Sequence, residues 1–525
     1  MKKIDLGVIV TTLIIVTISC SLAFFAARVV GEPKDINLVA KNVAITFNDT
    51  SIIANGVVSP GWNTTKTFTI TNNSKEEYKY NISIKDLINT FVTEGYLQYK
   101  ITSTNGGYNM TEFKDIPKSS APKDTILAYS VSIPVGVTQS YTIEFKYIND
   151  ESVDQSDDMG KKLSGTLFIT EGTEEPTLLS QILKDNPTIS ERKDFATPFT
   201  ETTTGTLFTS TESITGITDT PKEVYYYAGN TTNNWVKFAN LYWRIIRTNH
   251  DGSIRLLYVG TSHDTTSGNI GTSKFNTSYD SPKYVGYKYG EDTSLDTIRN
   301  NTTDSTIKTY IDTWYKNNLT NYTKYLSTSA VYCNDRKLAS GSTYTAYREE
   351  HNNKNLLAYV DKNERKTLIA AESAHSGTYF ASEERLETNK SPSYNCTDIR
   401  DAFSVDNTSA KLDYSISLMT ADEIAFAGGV AFQTMNTPYA WFISNSAGTQ
   451  VSTSWWTLSP EGWGDGNACV FLVFGSSYPG NLNSDIVFST NGVRPVISLK
   501  SCVKTSGGDG SASNPYTIEE STSGC

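Results

Sequence analysis

Histidine, cysteine and serine are the residues through which a chain most readily does covalent or metal chemistry, and their placement here argues against it. His250, His263, His351 and His375 stand singly in polar, turn-like stretches, with no His-Glu-x-x-His pairing to hold zinc. Ser459 lacks the small-residue elbow of a hydrolase nucleophile, and no Ser-His-Asp set can be assembled around it. None of the six cysteines lies in a Cys-x-x-Cys pair, which argues against zinc-ribbon clusters. Gly507-Gly508-Asp509-Gly510 has neither the Lys-Ser of a phosphate loop nor the Glu of a calcium loop. The sequence therefore predicts no catalytic set, no metal and no cofactor. What remains is recognition. Between Trp455 and Leu499, short apolar runs alternate with turns that carry Glu461, Trp463, Asp465, Asn467, Tyr478, Asn481 and Asn483. Rigid aromatics give contact area at low entropy cost while amides adapt their hydrogen bonds. These seven, with Trp455, are the expected ligand-binding residues, and Trp463 and Tyr478 the expected anchors.

Size and charge narrow the setting. The 525 residues are enough for two or three domains. A net charge of −11 gives no overall basic field to attract nucleic acid. Leu6–Ala27 runs without a charge after Lys2 and Lys3, long enough to cross about 30 Å of hydrocarbon. Basic residues on its N-terminal side place residues 1–5 in the cytoplasm and everything after about 30 outside. Residues 6–30 are thus the expected membrane anchor, with a cleaved signal as the alternative, given the small residues at 23–27. Disulfides persist outside the cell. Cys333 with Cys396, and Cys502 with Cys525, are the candidate pairs, which leaves Cys469 single.

Several elements must position the Trp455–Leu499 stretch. In residues 35–171 the pattern has period two: Tyr78, Tyr80, Ile82 and Ile84 alternate with Lys79, Asn81, Ser83 and Lys85. That alternation predicts antiparallel sheets with one wet face, and an Ig-like β-sandwich is the economical fold. Residues 172–222 are expected to be a Thr/Ser-rich linker with one short helix near Leu178–Leu183. In residues 223–502, Leu241–Arg247 and Ser253–Val259 predict a hairpin through Asp251-Gly252. Asp304–Leu319 predicts a helix capped by Asp304, with Ile307, Ile311, Trp314 and Tyr315 on one face. Thr420 and Glu423 predict a capping box for a helix ending at Gly428-Gly429. Residues 503–525 complete the chain as a tail.

The run from Trp456-Thr457-Leu458-Ser459-Pro460 to Gly492-Val493-Arg494-Pro495 resembles a bacterial C-type-lectin-like domain related in fold to formylglycine-generating enzymes. Tyr242-Trp243-Arg244-Ile245-Ile246 and Leu418-Met419-Thr420-Ala421-Asp422-Glu423 extend the resemblance over the C-terminal half. Some relatives are variable proteins of diversity-generating retroelements, which use this segment as a mutable binding face. The resemblance implies that Trp456 is core and Trp455 nearer the surface. The formylglycine-generating relatives use two neighbouring cysteines, whereas Cys469 and Cys502 are far apart here. Trp463-Gly464-Asp465 is similar to part of the calcium corner of sugar-binding lectins, without its companion loop. Ser59–Asn72 and Gly160–Thr170 resemble sandwich domains of biofilm-fibre and camelysin type.

The expected fold class is mainly β with an α+β head: a transmembrane helix, an antiparallel β-sandwich, then a C-type-lectin-like domain. The expected protein is a membrane-anchored bacterial surface protein whose head binds an extracellular protein or glycan, with or without diversification, and no nucleic acid. An extracellular enzyme of formylglycine-generating or other type is one alternative, and a structural matrix protein another.

Overall fold

A computed structural model of the protein describes residues 57–265, 268–344, 378–433, 453–464, 467–475, 480–520 and 525, with backbone strands also at 27–28, 36–40 and 43–49. Most of the expected anchor lies outside these residues; Ala27–Arg28 at its end is extended and pairs with Val57–Val58. No helix among the described residues is long and apolar enough to cross a membrane. The fold is mainly β. It divides into two compact units, Met1–Glu175 and Pro176–Cys525.

The first unit has nine principal strands: β1 (Ile36–Ala40), β2 (Val43–Asp49), β3 (Asn63–Asn72), β4 (Tyr78–Asn89), β5 (Leu97–Ser103), β6 (Lys114–Asp115), β7 (Ser119–Ile133), β8 (Thr138–Tyr147) and β9 (Leu163–Glu171). They form a six-stranded sheet of order β1-β2-β3-β8-β5-β6 and a three-stranded sheet β9-β4-β7, antiparallel throughout. Alternation decides which side chains enter the core: Phe68 and Ile70 of β3 and Tyr141, Ile143 and Phe145 of β8 point inward and are buried. Phe68 stacks on Tyr141 with ring centroids 4.9 Å apart. β4 departs from the expected pattern, because Asn81 and Ser83 are buried as well. β4 is the middle strand, and Asn81 bonds across it on both sides. Its Nδ2 donates to the Glu171 carbonyl at 2.8 Å and its Oδ1 accepts from Ser130 N at 2.9 Å.

The second unit opens with α1 (Leu178–Asp185), β10 (Thr188–Ser190), β11 (Thr206–Glu212) and β12 (Lys222–Tyr226). The first three lie within the stretch 172–222: α1 is the short helix expected there, while β10 and β11 correct the expectation of an otherwise unstructured linker. Leu178, Ile182 and Leu207 enter the main core, while Phe208 and Tyr226 join Tyr394 and Phe426 in an aromatic cluster. Low apolar content misled here because a few well-spaced apolar residues suffice when a large neighbouring core receives them. β13 (Trp235–Phe238) leads into the expected hairpin, β14 (Leu241–Thr248) and β15 (Ile254–Gly260). Gly252 in its turn takes the left-handed conformation at φ +76°.

After β16 (Thr272–Lys274) comes α2 (Thr306–Asn318), whose N-cap is Ser305, not Asp304. The Asp304 carboxylate is committed elsewhere, to Lys288 and Lys308. Then follow β17 (Thr378–Tyr379), β18 (Ile416–Leu418) and α3 (Ala421–Ala427), which has the expected Thr420/Glu423 capping box and Gly428 as C-cap. The last strands are β19 (Trp455–Gly464), β20 (Asn467–Val473), β21 (Leu482–Ile486), β22 (Thr490–Gly492), β23 (Pro495–Leu499), β24 (Thr505–Gly507) and β25 (Tyr516–Ile518).

Ten strands share one sheet, with path β10-β11-β12-β14-β13-β25-β24, with β15 joining β14 to β23 and with β18 pairing β23. β25 runs parallel to β13, Tyr516 opposite Val236, so the stretch 503–525 is not a free tail: Tyr516 and Ile518 are core residues. A second sheet has the order β16-β22-β19-β20-β21, with β17 also on β19. Disulfides join Cys333 to Cys396 and Cys502 to Cys525. Cys469 is in neither disulfide and is partly exposed.

Candidate functional site

The expected binding face does not assemble on the surface. Trp455 is fully buried, with the Arg494 guanidinium 5.0 Å from its ring, which corrects the placement nearer the surface. Trp456 is buried on the opposite side of β19, its Nε1 donating to the Ser273 carbonyl at 2.9 Å. Neighbouring strand residues point to opposite faces, so β19 is covered on both. Trp463 is also buried, at 5% exposure. It sits between Ala468 of β20 and Thr378 of β17, so the strand has no free edge there. Asn481 is buried too. Glu461, Asn467 and Asn483 keep partial exposure, but Asn483 pairs with Leu472 at the far end of β20 from Asn467. Asp465 and Tyr478 lie outside the described residues.

Glu461 does have unusual company. It lies near Glu383 and Glu387, which stand one turn apart where a helical turn, Ala381–Glu383, passes into a π-helical turn, Glu384–Thr388. Burial, then the charges of Glu383 and Glu387, push the Glu461 carboxyl up to about 7. Burial and a hydrogen bond that protonated Glu383 donates to Glu387 raise Glu383 in the same direction. Arg385, on the same turn, is turned to Asp335 and Asp422 at 2.7 and 2.9 Å. A carboxyl whose folded pKa exceeds its unfolded value stabilises the protein fully below the unfolded value, near 4.5, and loses that contribution as pH rises through about 7. Glu461→Gln is therefore expected to match the parent at pH 4.5 and exceed it at pH 8 by on the order of 2 kcal/mol. Urea melts at the two pH values check this; equal differences at both would refute it.

Below lies a buried ionic hub that isolated motifs did not reveal. Glu423 of α3, the capping-box acid, also accepts from Arg247 Nε at 2.8 Å and from Arg255 Nη1. Arg247 Nη2 continues to Glu212 at 2.8 Å. Burial alone would raise the Glu212 carboxyl, but Arg247 and His250 hold it down at about 2. Beside the hub is a cavity of about 20 Å³, room for a single water. It is a structural knot, too small for a ligand. Its one sequence signal was the capping-box position of Glu423, three residues after Thr420.

Three aspartates also converge, Asp304, Asp312 and Asp413. The Lys308 ammonium sits among them, at 3.1, 2.6 and 2.8 Å, so their charge is already met by a protein cation.

Among the described residues, an open groove of about 670 Å³ along α2 has the size and chemistry of a binding site. Its helix wall presents Thr306, Thr309, Tyr310, Thr313, Trp314 and Asn317. These fall on one side because helix neighbours recur at three- and four-residue spacing. The facing wall carries Ser273, Asn276, Thr277 and Tyr289. Trp314 is braced edge-on by Tyr258 at 5.4 Å, and Tyr289 by Tyr284 at 5.3 Å. Helical spacing alone puts Trp314 on the apolar face of α2; its partial exposure beside exposed Thr309 and Thr313 emerges only when the opposite wall is in place.

No family model matches the chain, and no curated protein matches it. A solved structure described as catalysing macrocyclization in alchivemycin A biosynthesis is 10% identical, with a TM-score of 0.16 over 28% of this chain and all of that one. A family 123 glycoside hydrolase from Clostridium perfringens, described for glycolipid glycan hydrolysis, is 10% identical with a TM-score of 0.11 over 32% of this chain and 37% of that one. Overlaps this slight transfer neither fold nor activity.

Proposed function

We propose that the protein is a membrane-anchored bacterial surface protein that binds an extracellular ligand. Residues 6–30 would anchor it, the Ig-like sandwich would act as a spacer, and a C-type-lectin-like head would carry the ligand through the groove along α2. The groove is the observation that supports this reading: a concave, pre-formed site with braced aromatics among neutral hydrogen-bonding groups is the usual form of a binding pocket. Two disulfides suit an exported chain, since such bonds rarely persist in the cytosol. Replacing exposed Thr313 by Trp fills the groove without touching the core. Full-length T313W displayed on cells is expected to lose at least tenfold in binding to target cells, with an unchanged melting curve. Retained binding would remove the groove from the function.

A second reading is enzymatic, favoured by the carboxyl of Glu461 near 7, the range in which a general acid works at neutral pH. Turnover of any glycoside or ester lost in Glu461→Gln, with folding intact, would move the assignment there.

A further inference from the structure

We infer that the groove along α2 takes an uncharged oligosaccharide, with Trp314 and Tyr310 as the surfaces on which its rings stack. This inference rests on the binding function proposed above and names the ligand class for the same groove. Charge comes first. The groove presents one ionisable carboxylate, Asp304, and that group is bound to Lys288 at 3.2 Å and Lys308 at 3.1 Å. Among the described residues no lysine or arginine lines it, so a sulfated, phosphorylated or uronic-acid chain would be desolvated there without a counter-charge. A protein partner ordinarily presents charged and apolar side chains over about 800 Å² on each side, which a neutral groove along one helix face does not match.

Spacing and orientation come second. Tyr310 and Trp314 are four residues apart on α2, about 6 Å along the helix axis, comparable to the length of one pyranose ring. Trp314 is held by Tyr258. The Tyr310 hydroxyl is seated against Gly271, where it donates to the Ile270 carbonyl at 3.5 Å: a Cβ at Gly271 would lie 2.1 Å from it, and the φ of +142° favours glycine. Two aromatic rings are thus fixed before the ligand arrives, with Thr309, Thr313 and Asn317 beside them to exchange hydrogen bonds with sugar hydroxyls.

The test uses the full-length protein in detergent and three probes: neutral hexose and N-acetylhexosamine hexasaccharides, their uronic-acid counterparts, and target cells treated with periodate. Neutral hexasaccharides are expected to bind and to compete with target cells. The uronic-acid series should bind at least tenfold more weakly, and periodate treatment should abolish cell binding. Thr313→Trp and Gly271→Ala should each lower saccharide affinity at least tenfold, the second by displacing the Tyr310 ring; Thr313→Trp, at an exposed position, guards against a folding defect in the other. If Thr313→Trp abolishes cell binding but no neutral saccharide competes and periodate has no effect, the ligand is not a glycan and this inference fails while the groove stands. If Thr313→Trp leaves cell binding intact, the groove itself is not the binding face, and the proposed function fails with it.

Discussion

Glu423→Ala is expected to unfold the second unit at a urea concentration well below the parent's midpoint, while the transition of the first unit stays in place. Glu423 is fully buried, and its Oε1 accepts from Arg247 and Arg255, both of which are buried. Its other oxygen accepts from Thr420 N at 3.0 Å to close the capping box of α3. Burial opposes its charge, but Arg255 and Arg247 reverse that and hold the carboxyl below its ordinary value. Removing it leaves two guanidinium groups in the interior, Arg255 with the Val331 carbonyl and Arg247 with Glu212. Breaking a buried ion pair from one side costs about 3–5 kcal/mol, and loss of a cap contact adds about 1. Against a typical total of about 5–15 kcal/mol, that is a large fraction of the stability. Because the folded pKa is lowered, the parent holds this contribution above the unfolded value of the carboxyl and loses it as pH falls through the folded one. The gap between parent and E423A should therefore narrow in acid. A variant with the parent's midpoint at pH 7 would show that the hub contributes nothing.

Arg336→Lys is expected to lower the melting temperature of the same unit by roughly 4–7 °C, from a loss of about 3–5 kcal/mol. The Arg336 side chain is fully buried and its donors all converge on protein oxygens. Nε donates to Asp401 at 2.7 Å, Nη1 to the carbonyls of Lys288 and Ile298 at 2.9 and 3.0 Å, and Nη2 to Asn301 Oδ1 and the Arg400 carbonyl at 3.0 and 3.1 Å. Asn301 is held with φ at +54°, a conformation that costs energy outside glycine. A lysine has three donors and no planar fork, so at least two of these oxygens lose their partner, at about 1–3 kcal/mol each. Calorimetry checks this. A shift under 3 °C would mean that the loops around Arg336 re-pair among themselves.

How much of this was legible depended on the range of the signal. The β14–β15 hairpin follows from Asp251-Gly252, α3 from Thr420 and Glu423, and the inward residues of β8, Tyr141, Ile143, Phe145 and Tyr147, from simple alternation. Each is decided within a few residues. The linker was misjudged because Leu178, Ile182 and Leu207 find their neighbours in strands that the chain reaches later. Asp304 lost the capping role to Ser305 for a related reason: its carboxylate is claimed by Lys288, which lies outside the helix. The binding face failed on the same ground. Trp455, Trp463 and Asn481 stand among turn residues in the sequence, yet strands from 272–274, 378–379 and 490–492 close over β19.

The amino-acid sequence by itself determined the β-rich character, the local hairpin and helix signals and the absence of a recognisable catalytic or metal-binding motif, because alternation, turn chemistry and motif spacing act over short stretches of chain. Only the tertiary structure decided which aromatics are wet. Exposure is the outcome of what packs against a side chain, and for Trp314 as for Trp463 those neighbours come from distant parts of the chain.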